Sequence, residues 1–252
     1  MTEKKVLVKN IEINYKIFGE GKPFLILHGW RSSSDRWGKM CELLAENGIK
    51  VIIPDLPGFG QSQEPEKPWS LDNYVEFVYE FSNIVPELKK GFYLLGHSFG
   101  GSLAVKFTIK YNQKVEKLFL VSASCLRKIT LKKKVLYKIS KVVKLFSFLP
   151  YYDLFRKAFY KFIFRKSDYP YVEGIMKETY LKVISDDLSH KLSFIKVPTI
   201  IVWGDKDNLT PVENAYFINK KIENSKLVII EGAGHNLNKI PEVLSEKILE
   251  NL

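Results

Sequence analysis

Three short segments carry the residues best suited to chemistry. Gly96-His97-Ser98-Phe99-Gly100 fits G-x-S-x-G, a pattern that sets a serine on a sharp strand-to-helix turn with its hydroxyl projecting. A serine hydroxyl is a poor nucleophile until a base takes its proton. The chain has four histidines: His28, His97, His190 and His235. His97 is beside the serine and points elsewhere on the turn, His28 ends an early strand, and His190 ends a basic segment. That leaves His235, in the loop Gly232-Ala233-Gly234-His235. A base needs an acid to hold its tautomer and stabilise its charged form. Trp203-Gly204-Asp205-Lys206-Asp207 offers two, and spacing alone does not choose between them. The chain order Ser, Asp, His matches the order expected when a serine on such a strand-to-helix turn is paired with an acid and a histidine. The competing readings are a glycine-rich turn with an incidental serine, a surface-loop histidine, and turn or capping acids.

These residues act together only if the elements between them converge. Val6–Val8 and Ile11–Ile17, joined at Lys9-Asn10, read as an antiparallel hairpin. Phe24–Leu27, Val51–Ile53, Phe92–Leu95, Leu118–Val121, Pro198–Val202 and Leu227–Ile230 are continuous apolar runs, as strands covered on both faces would be. Helices are expected over roughly Asp35–Glu46, closed by Asn47-Gly48, from the N-cap Ser70 to about Val85, from Ser98 to about Tyr111, near Val212–Lys221 and near Pro241–Leu249. This alternation predicts an α/β fold with a mostly parallel eight-stranded sheet flanked by helices. Ser98 then stands directly after one buried strand and at the start of a helix. The helix N-terminus brings free N–H groups and positive partial charge to its side.

Residues 126–190 break the alternation. They hold no strong buried-strand run and several helix-like patterns, so they are expected to form a helical cap inserted after the sixth strand. The core domain is then 1–125 and 191–252. The segment is also where the charge lies. The chain carries a net +11, of which 126–190 holds +9, with fifteen Lys and Arg against six Asp and Glu. Leu131, Val135, Ile139, Val142 and Phe146 recur at helical spacing among lysines, and Leu154 to Ile163 form a second such stretch.

Composition excludes several classes. Hydrophobic residues make up 46%, too many for a disordered chain. No apolar run approaches the ~18 residues that span a bilayer. Met1-Thr2-Glu3-Lys4-Lys5 leads into a strand without the apolar stretch and cleavage site of a signal peptide, so a cytoplasmic location is expected. Cys41 and Cys125 have no metal-site or disulfide spacing. No metal or organic cofactor is suggested.

The chain resembles the α/β-hydrolase superfamily, specifically its small capped serine hydrolases. The resemblance covers nearly everything outside the insertion. It rests on His28-Gly29-Trp30, Asp55-Leu56-Pro57-Gly58-Phe59-Gly60-Gln61-Ser62, Gly96 to Gly101, Trp203 to Pro211, and Gly232 to His235. It implies Ser98 as nucleophile, His235 as base and Asp207, four residues before Pro211, as acid. Some members place the acid after the sixth strand, but Ser122-Ala123-Ser124-Cys125 holds none. It also implies an oxyanion hole from the backbone N–H groups of Phe99 and Trp30, whose side chains would line the substrate pocket. Trp30 packed in the core against Trp37 is the alternative. His28, Asp55, Gly58, Gly60 and Ser62 read as loop and turn architecture.

The chemistry so implied is hydrolysis of a small-molecule carboxylic ester, or a thioester, through an acyl-enzyme. The same triad and cap also serve carbon–carbon bond hydrolysis of the meta-cleavage type. Lyase and perhydrolysis chemistry and a non-catalytic binding module are further alternatives, because fold and triad do not set substrate. The basic cap is expected to roof the pocket with solvated lysines. An acidic carrier protein, an acidic small substrate and an anionic membrane surface are the other partners its charge would fit. Nucleic acid is not expected, since no recognised binding motif accompanies the charge.

Overall fold

The computed structural model of the chain describes residues 1–127 and 173–252. Its centre is one eight-stranded sheet. The hairpin comes first: β1 (Thr2–Val8) pairs antiparallel with β2 (Ile11–Phe18). Lys9 and Asn10 both take positive φ at the turn, as a two-residue hairpin requires. Then come β3 (Lys22–Leu27), β4 (Ile49–Pro54), β5 (Phe92–His97), β6 (Val115–Val121), β7 (Thr199–Gly204) and β8 (Ser225–Ile230). The strand order is β1-β2-β4-β3-β5-β6-β7-β8. Every pairing from β4 onward across the sheet is parallel.

The unbroken apolar strands are explained by two cores, one on each face. Leu25, Leu27, Leu94, Leu118, Leu120, Ile201 and Trp203 point to one. Phe24, Ile26, Leu95, Phe119, Val121, Ile200 and Val202 point to the other. Neighbouring residues thus alternate between two dry layers, and neither position tolerates a polar side chain. Helices α2 (Leu71–Ile84), α3 (Phe99–Lys110) and α5 (Glu213–Lys221) cover the first face, while α1 (Gly38–Glu46) and α6 (Pro241–Leu249) cover the second. Ser70 caps α2 in a reciprocal box with Asn73. The helix expected from Asp35 is divided: Ser34–Trp37 is a 3-10 turn, and the α-helix begins at Gly38.

The expected cap helices over 131–146 and 154–163 lie outside the described residues. Helix α4 (Gly174–Ser185) falls within the expected insertion. The ends of that insertion meet. Arg127 N–H donates to the Asp187 carboxylate (3.2 Å), and Leu188 N–H donates to the Cys125 carbonyl (3.0 Å). Helix α4 is fastened to the core: Thr179 Oγ1 accepts from Trp69 N–H, and Lys182 Nζ donates to the Pro68 carbonyl. Among the described residues, no helix is long and apolar enough to cross a membrane.

Candidate active site

Ser98 sits between β5 and α3 with φ 53° and ψ −114°, a strained conformation for a residue with a side chain, costing ~1–3 kcal/mol. Its backbone is held on both sides. Its N–H donates to Val121 O (3.1 Å), and its carbonyl accepts from Gly101 N–H and Ser124 N–H, each at 2.9 Å. Gly96, Gly100 and Gly101 do not take positive φ. They are needed for close approach. A Cβ on Gly100 would lie 2.0 Å from the Leu27 carbonyl oxygen, one on Gly96 would lie 2.3 Å from Gly100 O, and one on Gly101 would lie 2.4 Å from Ala123 Cβ. The turn is thus pressed against β3, and the strain falls on Ser98.

His235 reaches this point from the loop after β8. Its Nε2 is 2.9 Å from Ser98 Oγ, and its Nδ1 is 2.8 Å from Asp207 Oδ2. The acid and histidine loops touch through their backbones: Lys206 N–H donates to Ala233 O (2.9 Å), and a Cβ on Gly204 would lie 2.2 Å from that same oxygen. The two aspartates of the loop differ in position. Asp205 is exposed, while the Asp207 side chain is fully buried. Asp207 Oδ1 accepts from Leu209 N–H and Thr210 N–H, both at 2.8 Å, and Oδ2 accepts from Thr210 Oγ1 at 2.7 Å. Burial pushes its carboxyl pKa up, but the hydrogen bonds from His235 and Thr210 outweigh this and hold it below the ordinary value.

Thr210 was not singled out from sequence, and His97 was set aside as pointing elsewhere on the turn. Thr210 steadies the acid and is itself anchored, its carbonyl accepting from Trp203 Nε1–H (2.7 Å). Its place three residues after Asp207 is the usual reach of an aspartate for a nearby backbone N–H, and this was the available signal. His97 does not point away from the site as a whole. Its Nε2 stands 3.0 Å from the backbone carbonyl of His235. Burial first, and then the charge of His235, lower its pKa to about 3, so the ring is neutral.

The loop after β3 supplies the opposite wall. His28 is fully buried and ties that loop to the next, with Nδ1 donating to Gly29 O (2.8 Å) and Nε2 accepting from Leu56 N–H (3.0 Å). Burial keeps it neutral. Asp55 accepts from Ser34 N–H, Gln61 N–H and Asn14 Nδ2, and a Cβ on Gly60 would lie 2.3 Å from its carboxyl carbon. These residues therefore build loops, as expected. Trp30 does not pack on Trp37. Its ring lies against Phe59, Phe99 and Tyr180 at 4.8, 5.3 and 5.1 Å, whereas Trp37 is buried against His97. Among the described residues, the backbone N–H groups of Trp30 and Phe99 donate to no protein acceptor. A cavity of about 450 Å³ opens over Ser98 and His235, walled by Trp30, Phe99, Leu209 and, from α4, Tyr180 and Val183. Among the described residues, no three His, Cys, Asp or Glu side chains converge as a metal site requires.

The sequence model of the alpha/beta hydrolase fold family matches residues 22–177 and 147–239. The chain belongs to that family. This α/β hydrolase is 28% identical over 233 residues to Lipase 1 of Psychrobacter immobilis, covering 85% of its own length and 71% of the lipase. It is 25% identical over 258 residues to a monoacylglycerol lipase of Bos taurus, with coverage of 87% and 71%. An esterase from Exiguobacterium antarcticum superposes on the hydrolase with a TM-score of 0.76 at 22% identity, covering 99% of this chain and 98% of the other. A meta-cleavage product hydrolase from Pseudomonas fluorescens superposes at 0.71 and 18% identity, with the same coverage. At those identities the two superpositions establish the fold alone.

Proposed function

We propose that this α/β hydrolase cleaves carboxylic esters through an acyl-enzyme on Ser98. The observation that carries the reading is the continuous contact from Ser98 Oγ to His235 Nε2 and from His235 Nδ1 to Asp207. Ser98 Oγ attacks the ester carbonyl carbon while His235 Nε2 takes the hydroxyl proton. The resulting oxyanion accepts hydrogen bonds from the N–H groups of Trp30 and Phe99, each worth on the order of a hundred-fold in rate. The intermediate collapses, the carbon–oxygen bond to the alcohol breaks, and His235 passes its proton to the leaving oxygen. A water molecule, deprotonated by His235, then attacks the acyl carbon. The acid is released and the proton returns to Ser98. Asp207 stays ionised and stabilises the imidazolium.

The lipases among the chain's relatives favour an ester over a carbon–carbon bond. The aromatic wall of Trp30, Phe99 and Tyr180 suits an apolar acyl or alcohol part. Residues 126–190 form the cap in this reading, with Tyr180 and Val183 of α4 as its contribution to the pocket. The test is a chain-length panel of p-nitrophenyl esters together with fluorophosphonate labelling. Wild type is expected to turn over esters and take the label, and Ser98→Ala to do neither. Equal ester turnover by the folded variant removes Ser98 from the mechanism.

A further inference from the structure

Arg127 lies where the chain leaves β6 for the insertion, and it lines the same cavity as Ser98 and His235. Its Nε is buried without a hydrogen-bond partner. Among the described residues, its guanidinium forms no ion pair. The nearest acids are engaged elsewhere. Asp187 accepts from Arg127 N–H, Ser189 N–H and Ser189 Oγ, while Asp186 pairs with Lys106 at 2.8 Å. Burial lowers the Arg127 pKa, and the Cys125 and Tyr180 side chains, followed by Asp187 and Asp186, offset only part of this.

A half-buried cation without a counter-charge is expensive, and native structures rarely keep one unpaired. The rest of the lining reinforces the sign. Arg36 and Lys239 also face the cavity, and no Asp or Glu does among the described residues. A second lining residue, Trp30, likewise holds a buried donor, Nε1, without a partner. An apolar ester needs none of these groups. A planar guanidinium matches a carboxylate or phosphate through two parallel N–H bonds.

We propose that the substrate is an ester carrying a carboxylate or phosphate group, and that Arg127 binds that group as the specificity-determining residue of the pocket. This rests on the ester-hydrolase reading above. It places the missing counter-charge on the substrate and leaves the apolar wall for the chain between the anion and the scissile bond.

The experiment compares matched esters. Mono-4-nitrophenyl adipate is set against its methyl ester, and 1-butyryl-glycerol 3-phosphate against monobutyrin, with wild type and with Arg127→Met. The readout is the ratio of kcat/KM within each pair, so any general loss caused by the substitution cancels. Wild type is expected to prefer at least one anionic member by tenfold or more. Arg127→Met should bring that ratio to about one, chiefly by raising KM for the anion, and Arg127→Lys should recover part of it. The pair that shows the preference identifies carboxylate or phosphate. Turnover of the neutral esters with no anionic preference in either pair, or a preference that survives Arg127→Met, overturns the assignment of Arg127 and leaves the ester hydrolase standing. Failure of every ester together with absence of fluorophosphonate labelling overturns both.

Discussion

His97 Nε2 stands 3.0 Å from the carbonyl oxygen of His235. A proton on Nε2 makes that contact a donated hydrogen bond, and the lowered pKa of His97 keeps the ring neutral. The residue before Ser98 thus braces the histidine that contacts the Ser98 hydroxyl, across 138 positions of sequence.

His97 is a positioning residue, so its loss should disturb geometry rather than affinity. His97→Ala is expected to lower kcat about tenfold or more, since misplacing a catalytic group by an ångström costs up to ~100-fold. KM should stay within about twofold. His97→Gln, whose amide can still donate, should recover part of the rate. Steady-state kinetics on one p-nitrophenyl ester check all three outcomes.

The two aspartates of the acid loop should separate sharply. Asp207→Asn leaves the shape but removes the charge beside His235, and a loss on the order of 10⁴ in kcat is expected. Asp205 is exposed, so Asp205→Asn should remain within about twofold of wild type. Parallel assays at one pH decide this, and similar losses in both variants would remove Asp207 from its assigned place.

Stability should fall on acidification in two stages. Unfolded His97 takes a proton below about pH 6.5, its ordinary value, whereas the folded ring resists to about 3. Between these limits the unfolded state binds more protons, so lowering the pH destabilises the fold, by up to ~1.4 kcal/mol per pH unit for one such group. Asp207 acts later. Its folded pKa is depressed, so its contribution is present above the ordinary carboxyl value and is lost as pH falls through the depressed one. Urea midpoints from pH 7 to 4 should decline in wild type and decline less steeply in His97→Gln.

Two glycines offer a contrast in stability. Gly100→Ala would press a methyl group to 2.0 Å from the Leu27 carbonyl oxygen, and a cost of about 3 kcal/mol or more is expected. Gly38 begins α1 with helical φ and ψ, and nothing lies within 4 Å of an added Cβ. Gly38→Ala should therefore stabilise by ~0.4–1 kcal/mol, by restricting the unfolded chain. Denaturant midpoints measured on the two variants should move in opposite directions.

Local chemistry in the sequence determined the eight strands, most helix positions, the turn that carries Ser98 and the loops that carry Asp207 and His235. Each follows from a short-range cause: continuous apolar runs for strands covered on both faces, an N-cap at Ser70, a positive-φ pair at Lys9-Asn10, and glycines where backbones meet. What the tertiary structure decided depends on contacts between distant segments. The burial that separates Asp207 from Asp205, the contact of His97 with His235, and the turning of Trp30 toward Phe59, Phe99 and Tyr180 rather than Trp37 all arise where loops from different strands converge. Sequence spacing carries no information about such meetings. The same holds for Arg127, whose charge was visible in the chain. Its burial in the cavity beside Ser98, without a counter-charge, emerges only when β5, β6 and α4 come together around it.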